Sequence, residues 1–239
     1  MKNKILSITK IVLSIATILC VIFGYKNHLY NTFENLFIDK CFSVFDSNSL
    51  SPFTSWVNFI AGVFLLYSLP YFFIELFGLE NKKSIFYKRG FTTIRKCYVL
   101  VILFVTCFML PGGLIGGMPL NEVLNFCFWE GNFFHHLICP ILFIVLSLLE
   151  KNEIQSRKQC LFSMIPVGTY MIVYLIMVFV ARKWEDFYYI NQILEVIGYL
   201  VFPLIVILIF SLSVLIALVD NIVVKLISKK ENKDEVNIS

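Results

Sequence analysis

Two adjacent histidines, His135 and His136, interrupt a strongly apolar stretch of this 239-residue chain. Asn132 precedes them by three and four residues, and Pro140 follows His136 by four. An imidazole in such a place can be a general base, a proton relay or a metal ligand. The Asn132 amide lies on the helical surface of either ring and can meet one of them. Pro140 has no N–H for the His136 carbonyl and opens the helix there. Metal binding has the weakest case, because neighbouring helical residues point about 100° apart. The only other histidine, His28, lies far off in sequence, so no ligand set is complete and no metal or cofactor is expected. The plainer alternative is a neutral histidine that bonds another helix and holds a bundle together.

A second polar group opens another apolar stretch, Phe53-Thr54-Ser55-Trp56-Val57-Asn58. A threonine hydroxyl becomes a nucleophile only beside a base, and neutral histidine is the commonest one. No carboxylate within the apolar stretches would orient the imidazole, so a Thr54–histidine dyad would lean on the amides of Asn58 and Asn132. The same residues also read as a helix start, with Ser51 or Thr54 as cap and Pro52 in the first turn.

These groups need a scaffold, and composition identifies it. The chain is 59% hydrophobic and 15% charged, against about 45–50% and about 25% in soluble domains. A soluble fold of this size would expose large apolar patches, whereas a bilayer accepts them on helices whose backbone is satisfied internally. The apolar runs are long and continuous, unlike the alternating ten-residue segments of a membrane barrel. The sequence therefore predicts an all-α bundle of six transmembrane helices in a 1–228 domain. Their expected ranges are about 6–24, 53–78, 97–115, 129–149, 161–181 and 195–219, each near the twenty residues a span needs. His135 and His136 then lie roughly 10 Å below the start of the fourth helix.

Basic residues orient the bundle. Lys2, Lys4, Lys10, Lys82, Lys83, Lys88, Arg89, Arg95, Lys96, Lys151, Arg157, Lys158, Lys225, Lys229, Lys230 and Lys233 fall on one side. Lys26, Lys40, Arg182 and Lys183 fall on the other, among acidic residues that include Glu122, Glu130, Glu185 and Asp186. Sixteen of the twenty basic residues on one side place both termini in the cytoplasm and the chain in the cell membrane. Basic clusters beside apolar runs also argue against nucleic-acid binding. Glu75, Glu150 and Asp220 stand at inner helix ends, where each is expected to reach water. The segment from Tyr25 to Pro52 reads as an outer interfacial helix, Pro111 to Pro119 as an outer loop, and 229–239 as a disordered cytoplasmic tail. The seven cysteines show no metal spacing; Cys41 and Cys127 share the outer side and could pair, or all seven could be apolar fillers.

At the polar residues the chain resembles the androgen-induced (FAR-17a-like) membrane proteins and, more specifically, their bacterial Pr6Pr branch. Phe53-Thr54 with Asn58 is similar to that family's F-T-x-x-x-N, and Asn132, His136 and Pro140 to its N-x-x-x-H-x-x-x-P. Pro166, Tyr170 and Tyr174 resemble its proline–tyrosine fifth helix, and Trp184 with Phe187-Tyr188-Tyr189 its aromatic outer segment. The resemblance implies six helices and, from eukaryotic relatives, a threonine hydrolase of fatty-acid esters. Thr54 would be the nucleophile and His136 its base, or His135 on the eukaryotic spacing, which sets the histidine five residues before the proline. Asn58, Asn132, Tyr170 and Trp184 would contact a lipid substrate. The functional expectation is an intramembrane lipid-ester hydrolase or acyltransferase. Its rivals are a non-enzymatic binding or transport protein and a scaffold that meets its partner through the 25–52 segment. The interrupted inverted repeats of many transporters are absent from the sequence.

Overall fold

The structure, a computed structural model, describes residues 2–25, 53–79, 83–115, 117–128, 131–150, 165–184, 195, 198–200, 203, 207, 211–212 and 214–226. Among these residues every regular element is helical. Helix α1 is Lys2–Gly24, α2 Phe53–Leu76 and α3 Ile85–Phe104; a π-turn, Val105–Met109, joins α3 to α4, Leu110–Ile115. Helix α5 is Leu120–Phe128 and α6 the single turn Gly131–Phe133. A second π-turn, Phe134–Ile138, leads into α7, Cys139–Leu149. Helix α8, Ile165–Leu175, ends in a third π-turn, Ile176–Val180. Residues 214–220 and 221–226 are helical as well.

Three of these helical stretches, Lys4–Gly24, Phe53–Leu76 and Ile85–Cys107, are long and apolar enough to cross a membrane. The polarity of α1 is inverted relative to a soluble helix. Ser7, Lys10, Ser14 and Thr17, spaced three, four and three residues apart, are buried, whereas Ile5, Ile8, Val12, Ile15, Leu19 and Ile22 are exposed. A helix that hides its hydroxyls and shows its branched apolar residues fits hydrocarbon surroundings, and small side chains let helices approach closely. Ser14 and Thr17 donate back to the Lys10 and Leu13 carbonyls at 2.7 Å, so neither hydroxyl is buried unpaired. Helix α1 packs chiefly on α2 and α7, and α3 also packs on both. Phe64, Phe72, Phe91, Tyr98 and Phe143 fill the space between them. A methyl group at Gly90 would overlap the Phe64 ring, so a glycine lets that ring lie against α3.

Where α1 begins and α2 ends, four charges close a ring. Lys10 meets Glu75 at 3.2 Å and Glu150 at 2.6 Å, and Lys83 meets Glu150 at 2.8 Å and Glu75 as the fourth pair. Two cations and two carboxylates leave no net charge, the condition under which burial is tolerable. Lys10 also lies 5.7 Å from the Phe72 ring centre and Lys83 4.9 Å from that of Tyr87. Burial disfavours the Lys83 cation, but hydrogen bonds and attraction from Glu150 and Glu75 outweigh it and raise its pKa above the ordinary lysine value. This stabilisation is complete at neutral pH and is lost only as pH rises through that raised value. A second pair ties α3 to the chain's last described helix. Arg95 Nε and Nη2 donate to Asp220 Oδ1 and Oδ2 at 2.7 and 2.8 Å, and Nη1 donates to Ser147 Oγ at 2.5 Å.

These contacts revise three expectations. Glu75, Glu150 and Asp220 are each paired with a cation; Glu150 is buried at 7% exposure, whereas Glu75 keeps 23% and Asp220 11% of its side chain exposed. The helix carrying the expected 97–115 span starts twelve residues earlier, at Ile85. The Ser84 side chain accepts from the Tyr87 N–H and caps it, so Arg95 and Lys96, expected in a loop, are buried inside α3. The Pro111–Pro119 stretch is not a plain loop, because 110–115 is helical, and Leu120–Phe128 is a helix that the sequence did not announce. The expected interfacial segment before Pro52, Cys41, and the 229–239 tail lie outside the described residues. Cys127 itself is a buried free thiol.

Candidate functional site

The histidines sit in the Phe134–Ile138 π-turn. The Cys139 N–H donates to the Phe134 carbonyl, five residues back, rather than to His135. Pro140 next to it has no N–H at all. The same pattern recurs at Val105–Met109, where Leu110 donates to Val105 just before Pro111. The wide turn therefore releases the His135 carbonyl from the helical ladder. Asn58 of α2 takes it up, donating from Nδ2 at 3.2 Å.

Asn58 is fully buried, and both of its amide hydrogens are spent. Nδ2 also donates to the Thr54 carbonyl at 2.8 Å, and Oδ1 accepts from the Tyr98 hydroxyl of α3 at 2.9 Å. One amide thus joins α2, α3 and the π-turn, with both hydrogens and one acceptor lone pair engaged. The sequence singled out Asn58 but not Tyr98, whose phenol is an unremarkable aromatic in an apolar run.

Each imidazole caps the end of a different helix. His135 Nε2 lies 3.2 Å from the Val21 carbonyl in the last turn of α1. His136 Nδ1 lies 2.7 Å from the Cys127 carbonyl in the last turn of α5. A carbonyl only accepts, so the proton is on Nε2 in His135 and on Nδ1 in His136. The last carbonyls of a helix lack the full set of helical partners; here the Val21 carbonyl takes His135 beside the Tyr25 N–H at 3.3 Å, and the Cys127 carbonyl takes His136. His135 also meets Tyr25 edge-on, with ring centres 4.5 Å apart, and the Tyr25 hydroxyl donates to the Ser55 carbonyl. Glycine at position 24 makes this packing feasible, because a Cβ there would overlap the His135 ring. Gly24→Ala should therefore cost about 1–3 kcal/mol as an overpacked contact. In thermal unfolding in detergent, the substitution should cost much less once His135→Ala has emptied the space. An equal cost in both backgrounds would refute the contact.

Thr54 lies at the first turn of α2 and is 7% exposed. Its hydroxyl makes no hydrogen bond among the described residues, and none joins it to either imidazole. Its carbonyl and that of His135 share the Asn58 amide. Asn132 is exposed on α6. Tyr170 and Trp184 are buried together in a separate aromatic cluster with Tyr174, which Phe53 and Trp56 of α2 complete. Phe53 is 5.2 Å and Trp56 6.3 Å from the Tyr170 ring, Tyr170 is 5.9 Å from Tyr174, and Tyr174 is 6.1 Å from Trp184. The cluster thus adjoins Thr54 through the two aromatics that flank it in sequence. Among the described residues, the buried Trp56 and Trp184 indole nitrogens have no hydrogen-bond partner.

The structure therefore brings Thr54, Asn58 and His135 to one junction and places Tyr170 beside Thr54's turn, with Trp184 joined to it through Tyr174. His136 turns its Nδ1 toward α5. Among the described residues, no group of three or more His, Cys, Asp or Glu is placed to hold a metal ion. Comparison of the chain with protein-family models, with curated proteins and with solved structures finds no match.

Proposed function

We propose that the chain is a protein of the cell membrane, spanning it six times with both termini cytoplasmic. In this reading it acts on a lipid ester in its outer half. The three long apolar helices and the inverted face of α1 support the membrane part. The resemblance to the androgen-induced (FAR-17a-like) and Pr6Pr proteins at Phe53-Thr54, Asn58, His136 and Pro140 supports the chemistry.

The observation that carries the chemistry is the His136 tautomer. With the proton held on Nδ1 by the Cys127 carbonyl, Nε2 bears the lone pair, which is the form a general base needs. In the proposed reaction Nε2 takes the Thr54 hydroxyl proton as Oγ1 attacks the ester carbonyl. The alcohol leaves with that proton, and water then releases the acid from acyl-threonine, or a second alcohol takes the acyl group. Thr54 and the imidazole must close on each other when substrate binds, as catalytic pairs in empty sites often do. Asn58 cannot be the oxyanion donor, because both of its amide hydrogens are engaged.

A second reading, a lipid-binding protein without catalysis, is favoured by the use of His135 and Asn58 as interhelical ties. A fluorophosphonate probe separates the two in detergent-solubilised protein. The catalytic reading expects labelling of wild type, loss of at least about tenfold in Thr54→Ala, and a comparable loss in His136→Gln. Unlabelled wild type, or undiminished labelling of Thr54→Ala, would leave the binding reading.

A further inference from the structure

Helices α4 and α5 stand apart from the rest of the bundle. They pack chiefly on each other, on α6 and on the Val105–Met109 and Phe134–Ile138 π-turns, whereas α1, α2, α3 and α7 share one large core. The pair has a small cluster of its own, Val105, Val123 and Cys127, ringed by Met109, Leu110 and Phe128. Val123 and Cys127, one helical turn apart, are the buried residues of α5 among those described. Its other faces are open, and Leu114, Ile115, Met118, Leu120 and Leu124 are all exposed.

Both ends of this pair are built to bend. A π-turn sets its ladder bonds five residues apart and is a usual place for a helix to kink. At the first, the Leu110 N–H donates to the Val105 carbonyl, and Pro111, next in line, has no N–H to continue the ladder. Thr106 within it donates its hydroxyl to the Ile102 carbonyl at 2.8 Å, a back-bond that bends helices. At the second, Cys139 and Pro140 repeat the arrangement. The pair is fastened to this second turn by His136, whose Nδ1 donates to the Cys127 carbonyl at 2.7 Å. Hydrocarbon surroundings make that bond decisive. In water the Val105–Val123–Cys127 contact would hold the pair shut, but lipid tails are as apolar as the residues that opening would expose.

We propose that α4 and α5, residues 110–115 and 117–128, form a lid over His136 that swings on the two π-turns and is latched by the His136–Cys127 hydrogen bond. Opening uncovers the 7%-exposed His136 together with Val105 and Cys127. The latch also bears on chemistry. The carbonyl that closes the lid is the one that keeps the His136 proton on Nδ1, so closure and a free Nε2 lone pair come together. In the open state that constraint is gone, and either ring nitrogen can carry the proton. The lid stands whether or not the chain is an enzyme; only the use of that lone pair as a base rests on the hydrolase reading.

Native cysteines report on the lid without any substitution. Cys107 is exposed in the first hinge, Cys127 is buried on the inner face of the lid, and Cys97 and Cys139 are buried in the main core. The full-length protein in detergent is treated with N-ethylmaleimide, and alkylation of each cysteine is followed by peptide mass spectrometry. A buried thiol reacts only through an opening that exposes it. Cys127 should react more slowly than Cys107 but at least about tenfold faster than Cys97 and Cys139. His136→Leu removes the latch and should speed Cys127 by about three- to tenfold, as one net hydrogen bond allows, with Cys97 and Cys139 unchanged. Wild-type Cys127 as inert as Cys97 and Cys139 would overturn the lid. An unchanged Cys127 rate in His136→Leu, or equal speeding of all three, would overturn the latch. The wild-type comparison does not depend on how well that variant folds. Lid opening without fluorophosphonate labelling would remove hydrolysis alone, and labelling with an inert Cys127 would remove the lid alone.

Discussion

Arg95→Met should be among the most damaging substitutions in this chain, costing about 3–5 kcal/mol. Arg95 is 2% exposed and makes both bonds to the Asp220 carboxylate as well as one to Ser147. Removing it leaves Asp220 as an uncompensated charge whose side chain is 11% exposed. The damage thus comes from the stranded partner more than from the lost attraction, and this has a measurable signature. Pairing Arg95→Met with Asp220→Leu should recover much of the loss, because apolar groups often replace a buried pair at little cost. Thermal unfolding in detergent should show a midpoint fall of about 6–20 °C for the single variant and a smaller one for the double. A double variant as unstable as the sum of its parts would show that the two side chains do not act as a pair.

Asn58 is the second position of large effect. Asn58→Leu keeps the volume roughly constant but leaves the Tyr98 hydroxyl and the His135 carbonyl without their partner. Each stranded buried group costs about 1–3 kcal/mol, so a total near 3 kcal/mol is expected. Asn58→Asp should be worse despite its closer shape. A carboxylate still accepts from Tyr98, but it turns negative charge on the Thr54 and His135 carbonyls that the amide now serves. The measurement is the order of unfolding midpoints, wild type above Leu above Asp. If Asp matches wild type, the Asn58 nitrogen does not face those carbonyls, and the tie between α2 and the π-turn fails with it. Both substitutions leave the Thr54 hydroxyl itself in place, so any loss of probe labelling beyond the loss of folded protein would report on positioning.

The solvent of this protein was legible from composition, because excess apolar surface is a sum over residues and needs no knowledge of contacts. Helix placement was partly legible, since apolar runs and prolines act locally. Pro140 announced an opened helix at the histidines, but the π-turn frees the His135 carbonyl rather than the His136 carbonyl that the spacing pointed to. Asn58 and the histidine pair stood out because polar groups are expensive in hydrocarbon wherever they occur. The inverted face of α1 was present in the spacing of Ser7, Lys10, Ser14 and Thr17 and went unread beside a continuous apolar run.

What these polar groups do was not in the sequence. Thr54, Asn58 and the two histidines read as one catalytic cluster because helix direction alone puts them at similar depth. The tertiary structure instead commits Asn58 to three bonds and uses each imidazole to close a different helix end. It also pairs Glu75, Glu150 and Asp220 with Lys10, Lys83 and Arg95, Glu150 buried and Glu75 and Asp220 part-buried. Composition and periodicity determine which surroundings a helix tolerates. Only packing between distant segments decides on which partner each hydrogen and lone pair is spent.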